Sequence, residues 1–216
     1  MERLSIQSFL ANGHAYHLYG FERPANLPAG TEYLDASGIL PGVDPAAYPA
    51  LATYADHFRY ALLFQRGGWW ADTDVVCLRP FNSGSEYVFA SDSGDGWVTA
   101  INAVMRVPAR APVMEFALKV CESKDPVKVA WGELGPRLLD VAVRGFGLST
   151  HVVPSGVFFP IPYQEWWRVL TDTPLPEESH AIHLWNEMWR QGGQDKNLGY
   201  PSTCLYGRLM QRYGIA

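Results

Sequence analysis

Cysteine, charge and long apolar runs are all scarce in this chain, and each scarcity excludes something. Three cysteines, Cys77, Cys121 and Cys204, are an odd number scattered through 216 residues. That fits neither a disulfide framework nor a zinc ribbon, so buried free thiols are expected. Charged residues make up only 18%, and 22 acids against 17 bases leave a net charge of −5. An acidic chain without a basic run argues against nucleic-acid binding and against a polybasic membrane anchor. No apolar run approaches the roughly 18 residues of a membrane span. The opening MERLSIQSFLANG lacks the apolar stretch of a signal peptide. The expectation is a cytoplasmic protein with at most peripheral membrane contact. Repeats and low-complexity tracts are missing too. What is present is a 48% hydrophobic chain, which excludes disorder, and an aromatic share of 13% that includes 8 Trp. Tryptophan beyond the needs of a core lines ligand surfaces. The length suits one domain, residues 1–216.

Apolar spacing predicts helices over 4–11, 53–66, 112–121, 134–143 and 205–213, with Thr53 as an N-cap and Gly67-Gly68 as a stop. Strands are expected at 15–21, 69–71, 75–78, 87–90, 100–107, 151–153, 157–159 and 181–185. Residues 24–49 hold five prolines and read as connection. Alternating strands and helices predict an α/β domain with a mixed, mainly parallel sheet.

The most informative residues are Asp72 and Asp74, which follow the apolar Trp69-Trp70-Ala71. On a strand, residues two apart point to one side. Two carboxylates held there repel unless a cation lies between them. Oxygen ligands of this kind suit Mg²⁺ or Mn²⁺, which also take phosphate oxygens. A solvated turn is the plain alternative, but the end of an apolar strand is where open α/β sheets bind ligands. One chemistry compatible with DTD is that of the haloacid-dehalogenase phosphatases, with Asp72 as nucleophile. That fold also needs a downstream Lys and a later acidic pair. Lys119, Lys124, Lys128 and Lys196 are present, but no close Asp pair follows them.

The longer stretch ADHFRYALLFQRGGWWADTDVVCLRP, residues 55–80, resembles the DXD-motif sugar-nucleotide glycosyltransferases. These include the capsular-polysaccharide and mannosyltransferase-like families and the α-1,4-galactosyltransferases. Their shared pattern is [S/A]-D-x-x-R-Y…G-G-x-Y-x-D-x-D, and Trp70 stands here at the usual Tyr. The resemblance implies a GT-A-like nucleotide-binding domain. It makes Asp74 the direct metal ligand and has Asp72 contact the donor while sharing the metal. Asp56 would accept from sugar hydroxyls, and Arg59 would hold sugar or diphosphate oxygens. A local helix ion pair is the alternative for Asp56 and Arg59, one turn apart.

Farther on, AIHLWN, residues 181–186, resembles the A-[VI]-H-x-W-N segment of the same families. It implies His183 as a later metal ligand and Trp185 beside the diphosphate. Asn186 would serve the diphosphate or its own loop. Asn102 resembles the Asn of the families' N-[GA]-[VI] segment near the donor sugar, and Gly135-Pro136 resembles their GP helix opening. Glu133 and Asp92 are acids near the acceptor side by this reading, and Trp166-Trp167 with Trp189 form a stacking platform or part of the core. Family members usually begin with a strand like I-P-K-I-I-H-W-I-G, and this chain starts at the helix after it, so the expectation is either a truncated start or a domain that lacks its first strand.

Together these readings predict a retaining, Mn²⁺- or Mg²⁺-dependent glycosyltransferase of polysaccharide biosynthesis. Residues 1–110 form the donor and metal side, and 111–216 the acceptor side together with the C-terminal metal-side motif. The donor is a nucleotide sugar, read as a UDP-sugar, and the acceptor a glycan or lipid-linked glycan hydroxyl. The alternative from another class is a non-catalytic sugar- or nucleotide-binding module of the same fold.

Overall fold

A computed structural model describes residues 1–92 and 99–215. Helix α1 (Glu2–Ala11) leads to β1 (Tyr16–Gly20) and β2 (Thr31–Asp35), then to the long α2 (Leu51–Arg66). Four strands follow, β3 (Gly68–Ala71), β4 (Val75–Cys77), β5 (Val88–Asp92) and β6 (Thr99–Val107). The C-terminal half holds α3 (Pro112–Glu122), a kinked turn at Glu133–Arg137 that runs into α4 (Leu138–Gly145), and α5 (Ser155–Phe158). It closes with β7 (Ala181–His183), α6 (Asn186–Gln191) and α7 (Leu205–Arg212).

The α/β class and the mixed pairing are as expected. Among the described strands only β1–β2 pair in parallel, while β3–β6, β5–β6 and β4–β7 are antiparallel. The lean away from a mainly parallel sheet has a simple cause. A parallel pair needs a crossover of a dozen or more residues, and only six residues separate the end of β5 from the start of β6.

Two of the four apolar clusters among the described residues frame the site. Tyr60 and Leu63 of α2 pack with Met105 and Val107 of β6, Met114 and Ala117 of α3 and Leu139 and Val143 of α4. Leu4 of α1, Val76, Ile182, Trp189, Tyr206 and Leu209 form the other. All three cysteines are free and buried, as expected. No helix among the described residues is long and apolar enough to cross a membrane.

Several local expectations fail for physical reasons. Helix α2 starts at Leu51 after an extended Ala50, and Thr53 N–H already bonds Ala50 O within the first turn, so Thr53 is not the cap. Residues 31–35 escape the proline-rich connection because β1 offers them a full parallel register. The segment at 157–159 is not a strand. It closes a helical turn, Phe159 N–H donating to Ser155 O at 2.6 Å. Around 151–153 only the bridge Phe89–Val152 survives.

A candidate metal and donor site

Strand β3 carries its ladder with β6 one bond past its end, Asp72 N–H donating to Ala103 O at 2.8 Å. The chain then turns, with Val75 N–H on Asp72 O at 3.0 Å, and enters β4, which pairs with β7 instead. Asp72 and Asp74 therefore sit where the backbone leaves one sheet for another. They lie on a turn, not on the strand expected. Strand β3 itself is exposed at Gly68 and half-buried at Trp69 to Ala71, so the approach is less buried than its apolar residues suggest.

The β4–β7 register places Val75 opposite His183, and Leu184 N–H extends the ladder onto Asp74 O at 2.9 Å. That pairing delivers a histidine 109 positions away to the DTD turn. His183 Nε2 stands 3.1 Å from Asp74 Oδ1, and Asn186 N–H donates to Asp74 Oδ2 at 2.9 Å. One ligand atom each from Asp72, Asp74 and His183 fall within 4.8 Å of one another.

A second group of polar residues supports Asp72. Trp70 Nε1–H donates to Asp72 Oδ1 at 2.6 Å, and Arg59 Nη2 lies 3.2 Å from the same oxygen. Arg59 Nη2 is also 3.6 Å from Asp56 Oδ1, and Arg59 Nη1 donates to Asn102 O at 2.7 Å. Asn102 Nδ2 donates to Asp56 Oδ1 at 2.8 Å, and Tyr60 O–H donates to Gly135 O at 3.1 Å. The guanidinium also lies 5.0 Å from the Trp70 ring centroid. The two groups of residues meet at the DTD turn.

Electrostatics separate the two carboxylates of the motif. Burial works to raise Asp74, but the imidazolium and hydrogen bond of His183 and the amide of Asn186 overcome it and hold it at about 2. Asp72 goes the other way, because burial outweighs Arg59. Asp56 is raised by the same cause, against the pull of Arg59 and Asn102. His183 also loses solvent, yet Asp74 raises it above its ordinary value.

These residues fit a divalent cation. Three carboxylates against one guanidinium leave two negative charges when the imidazole is neutral. The donors are carboxylate oxygens and one imidazole nitrogen, a set Mn²⁺ and Mg²⁺ accept. Neighbouring ligands of a small octahedral ion stand about 3 Å apart, and the separation of Asp74 Oδ1 from His183 Nε2 is 3.1 Å. His183 Nδ1 is buried without a hydrogen-bond partner, which leaves Nε2 as the nitrogen that faces the carboxylates.

Other expected residues are placed less as anticipated. Trp185 leaves the strand in a left-handed conformation, φ 55°. Its ring still lies 3.9 Å from that of His183, and its indole N–H is spent on Ile161 O. Asn186 opens α6, and its side-chain oxygen accepts from Lys196 Nζ at 2.8 Å. Trp189 is 1% exposed and packs on Tyr206, so it is core and no platform. Trp166 is half-buried against it, and Trp167 is the exposed member of the three. Glu133 is engaged by Lys124 and the Ala130 amide. Asp92 is buried at the end of β5. Tyr60, Trp70 and Gly135 are legible in the sequence only as letters of the family patterns, the Tyr after Arg59, the aromatic before the DXD and the Gly of the GP opening, whereas their contacts with Asn102, Asp72 and Asp56 are not.

Comparison with known proteins meets this geometry from both sides. Residues 26–90 match the family described as the glycosyltransferase sugar-binding region containing a DXD motif. Residues 127–215 match the α-1,4-glycosyltransferase conserved region. The first span holds Asp56, Arg59, Trp70, Asp72 and Asp74, and the second holds Gly135, His183 and Trp185. The human α-1,4-N-acetylglucosaminyltransferase is 27% identical over 154 residues, 64% of this chain and 44% of that protein. The lactosylceramide 4-α-galactosyltransferase of Pongo pygmaeus is 26% identical over 79% of this chain and 80% of its own. Its counterpart in Rattus norvegicus is 24% identical over 86% of this chain and 52% of its own. The chain thus spans about half the length of the human and rat relatives. Among solved structures the PaToxG glycosyltransferase superposes with a TM-score of 0.50 at 14% identity, over 67% of this chain and 62% of that one. It shares the fold.

Proposed function

The chain belongs to the DXD-motif glycosyltransferases, and from that premise we propose that it moves a sugar from a nucleotide donor to a glycan or glycolipid hydroxyl with a divalent cation held by Asp72, Asp74 and His183. The observation that carries this reading is the convergence of those three side chains, two from mid-chain and one from far along it, within 4.8 Å. When bound, a Mn²⁺ or Mg²⁺ ion there supplies Lewis-acid stabilisation of charge on a diphosphate leaving group.

The protein's own groups divide the remaining work. Asp74 is fixed from two directions by His183 and the Asn186 amide, so its carboxylate is preorganised for a cation. Asp72 is oriented by Trp70 and Arg59 toward the donor. Asp56 faces the same region with Asn102 and is the acceptor offered to sugar hydroxyls. Arg59 spends its guanidinium on Asp56, Asp72 and the Asn102 carbonyl, so its role in this reading is to position carboxylates before it touches any phosphate.

Retention of the donor's configuration and a UDP-sugar donor are part of the proposal. A front-face displacement, in which the leaving phosphate takes the acceptor's proton, requires no dedicated protein base. Residues 1–110 are assigned to the donor and metal, and 111–216 to the acceptor and the C-terminal metal-side motif that carries His183, with Trp167 as the exposed aromatic on the acceptor side.

The test is titration of UDP with and without Mn²⁺ into the parent, Asp74→Asn and His183→Ala, followed by a UDP-sugar hydrolysis assay. Each substitution is expected to weaken metal-dependent UDP binding by roughly 10–100-fold. Parent-like binding by both variants refutes the site. The alternative, a non-catalytic sugar- or nucleotide-binding module of the same fold, predicts binding without turnover.

A further inference from the structure

The chain has a concave feature at the other end of the strand pair that carries the proposed cation site. Strands β4 and β7 run from Asp74 and His183 at one end to Cys77 and Ala181 at the other. Leu78 and Arg79 continue past that far end, both donating their amides to His180 O. A cavity of about 620 Å³ opens there, between this strand end, the 173–179 segment and α7. At about 3.3 Å per residue, Asp74 and Arg79 are separated by roughly 16 Å of strand.

Its lining is unusual for a chain of net charge −5. Arg79, Arg208 and Arg212 all face it, and Leu78, Leu175, Leu205 and Leu209 give it apolar walls. Arg208 and Arg212 are four apart on α7, so they share a face, where like charges are unfavourable unless compensated. Two of the three guanidinia are fixed by the protein. Arg208 Nη1 donates to Asp172 Oδ1 at 2.6 Å and Arg208 Nη2 to Thr173 O at 3.0 Å. Arg212 Nη2 donates to Leu78 O at 3.1 Å. Asp172 neutralises one charge of the three. Arg79 is exposed and makes no side-chain hydrogen bond or ion pair among the described residues. Glu177, also on the rim, pairs with none of the three arginines. Held guanidinia with fixed forks beside aliphatic walls match a phosphate joined to an apolar group.

We propose that this cavity binds the phosphate of an amphipathic phosphate ester, with Arg79 and Arg212 on the phosphate and the leucines against the apolar part. The site is independent of the cation cluster, so it stands whether or not the proposed transfer reaction does.

Calorimetric titration of octyl phosphate and of inorganic phosphate tests it, in the parent, Arg79→Ala, Arg79→Lys and Arg212→Gln. Octyl phosphate is expected to bind at least about tenfold tighter than inorganic phosphate, because the chain buries methylenes. Arg79→Ala is expected to weaken it about tenfold, the size of one charge-assisted hydrogen bond. Arg79→Lys should restore part of the loss by keeping the charge. Arg212→Gln retains a donor for Leu78 O while removing the charge, so it reports on the same site if Arg79→Ala folds poorly. Asp74→Asn should bind octyl phosphate like the parent. Sedimentation with phosphatidylcholine vesicles, with and without phosphatidic acid, identifies the source. Binding to the phosphatidic acid vesicles that is lost in Arg79→Ala assigns a membrane lipid, and binding of octyl phosphate alone assigns a soluble ester. The proposal is overturned if octyl phosphate fails to bind, if its affinity is unmoved by Arg79→Ala and Arg212→Gln, or if Asp74→Asn abolishes it.

Discussion

His183 is the residue on which two chemistries compete. Its imidazole is raised above the ordinary histidine value because Asp74 favours the charged form more than burial disfavours it. In the metal-free protein, that pairing contributes stability fully below the unfolded value near 6.5 and loses it as pH climbs through the raised folded value. A cation needs the neutral imidazole, so loading expels the proton. Mn²⁺ affinity is therefore expected to rise with pH, by up to tenfold per unit for one displaced proton, and to level off once pH passes the raised folded value of His183. Calorimetry in two buffers of different ionisation enthalpy checks it by counting released protons. A flat profile, or the same slope in His183→Asn, removes His183 from the ligand set. Arg59 is a different kind of residue. It is almost fully buried between two acids, and its charge is held up by them against desolvation. Such a group is far costlier to remove than its net stabilisation suggests, because two carboxylates are then left without a partner.

At the scale of elements, the kinked Glu133–Arg137 turn matters more than its length suggests. A Cβ placed on Gly135 would lie 2.8 Å from Asp56 Oδ2. Asp56 cannot easily retreat, since Asn102 and Arg59 hold its other oxygen. Gly135→Ala is thus expected to cost roughly 1–3 kcal/mol by overpacking and to weaken UDP–Mn²⁺ binding through the displaced Asp56. Thermal unfolding and UDP titration read the two effects. An unchanged melting temperature with unchanged affinity would show that Asp56 moves freely. This contact marks the limit of what the sequence makes legible. Asp56 and Arg59 were readable because helical spacing is local, and Asp72, Asp74 and His183 because each sits in a recognisable short pattern. Gly135 read only as a helix opening, since its approach to Asp56 joins segments 79 positions apart and leaves no periodic trace. Strand β2 was hidden for the same reason, because its partner β1 supplies the pairing that its proline-rich neighbourhood obscures. In the opposite sense, 157–159 looked like a strand from its apolar residues, but a short i, i+4 bond after Pro154 closed it into a helix.

At the scale of the whole molecule, the proposed cation site brings together distant parts of the chain. Asp72 and Asp74 belong to the turn between β3 and β4, and His183 ends β7, which is anchored with α1, α6 and α7 in a core of its own. A ligand that binds only the folded arrangement stabilises it by mass action, about 2.7 kcal/mol at a hundred times its dissociation constant. For a chain of this size that corresponds to a rise of roughly 5–10 °C in melting temperature. Mn²⁺ with UDP is expected to give that rise in the parent, and UDP without metal much less. The informative comparison is His183→Ala under the same conditions. If the cation were held by the DTD turn alone, the shift would persist, because the local ligands would be intact. If it bridges the turn and β7, the shift collapses even though both carboxylates remain. A full shift in His183→Ala would therefore place the cation on the turn alone and refute the bridging geometry.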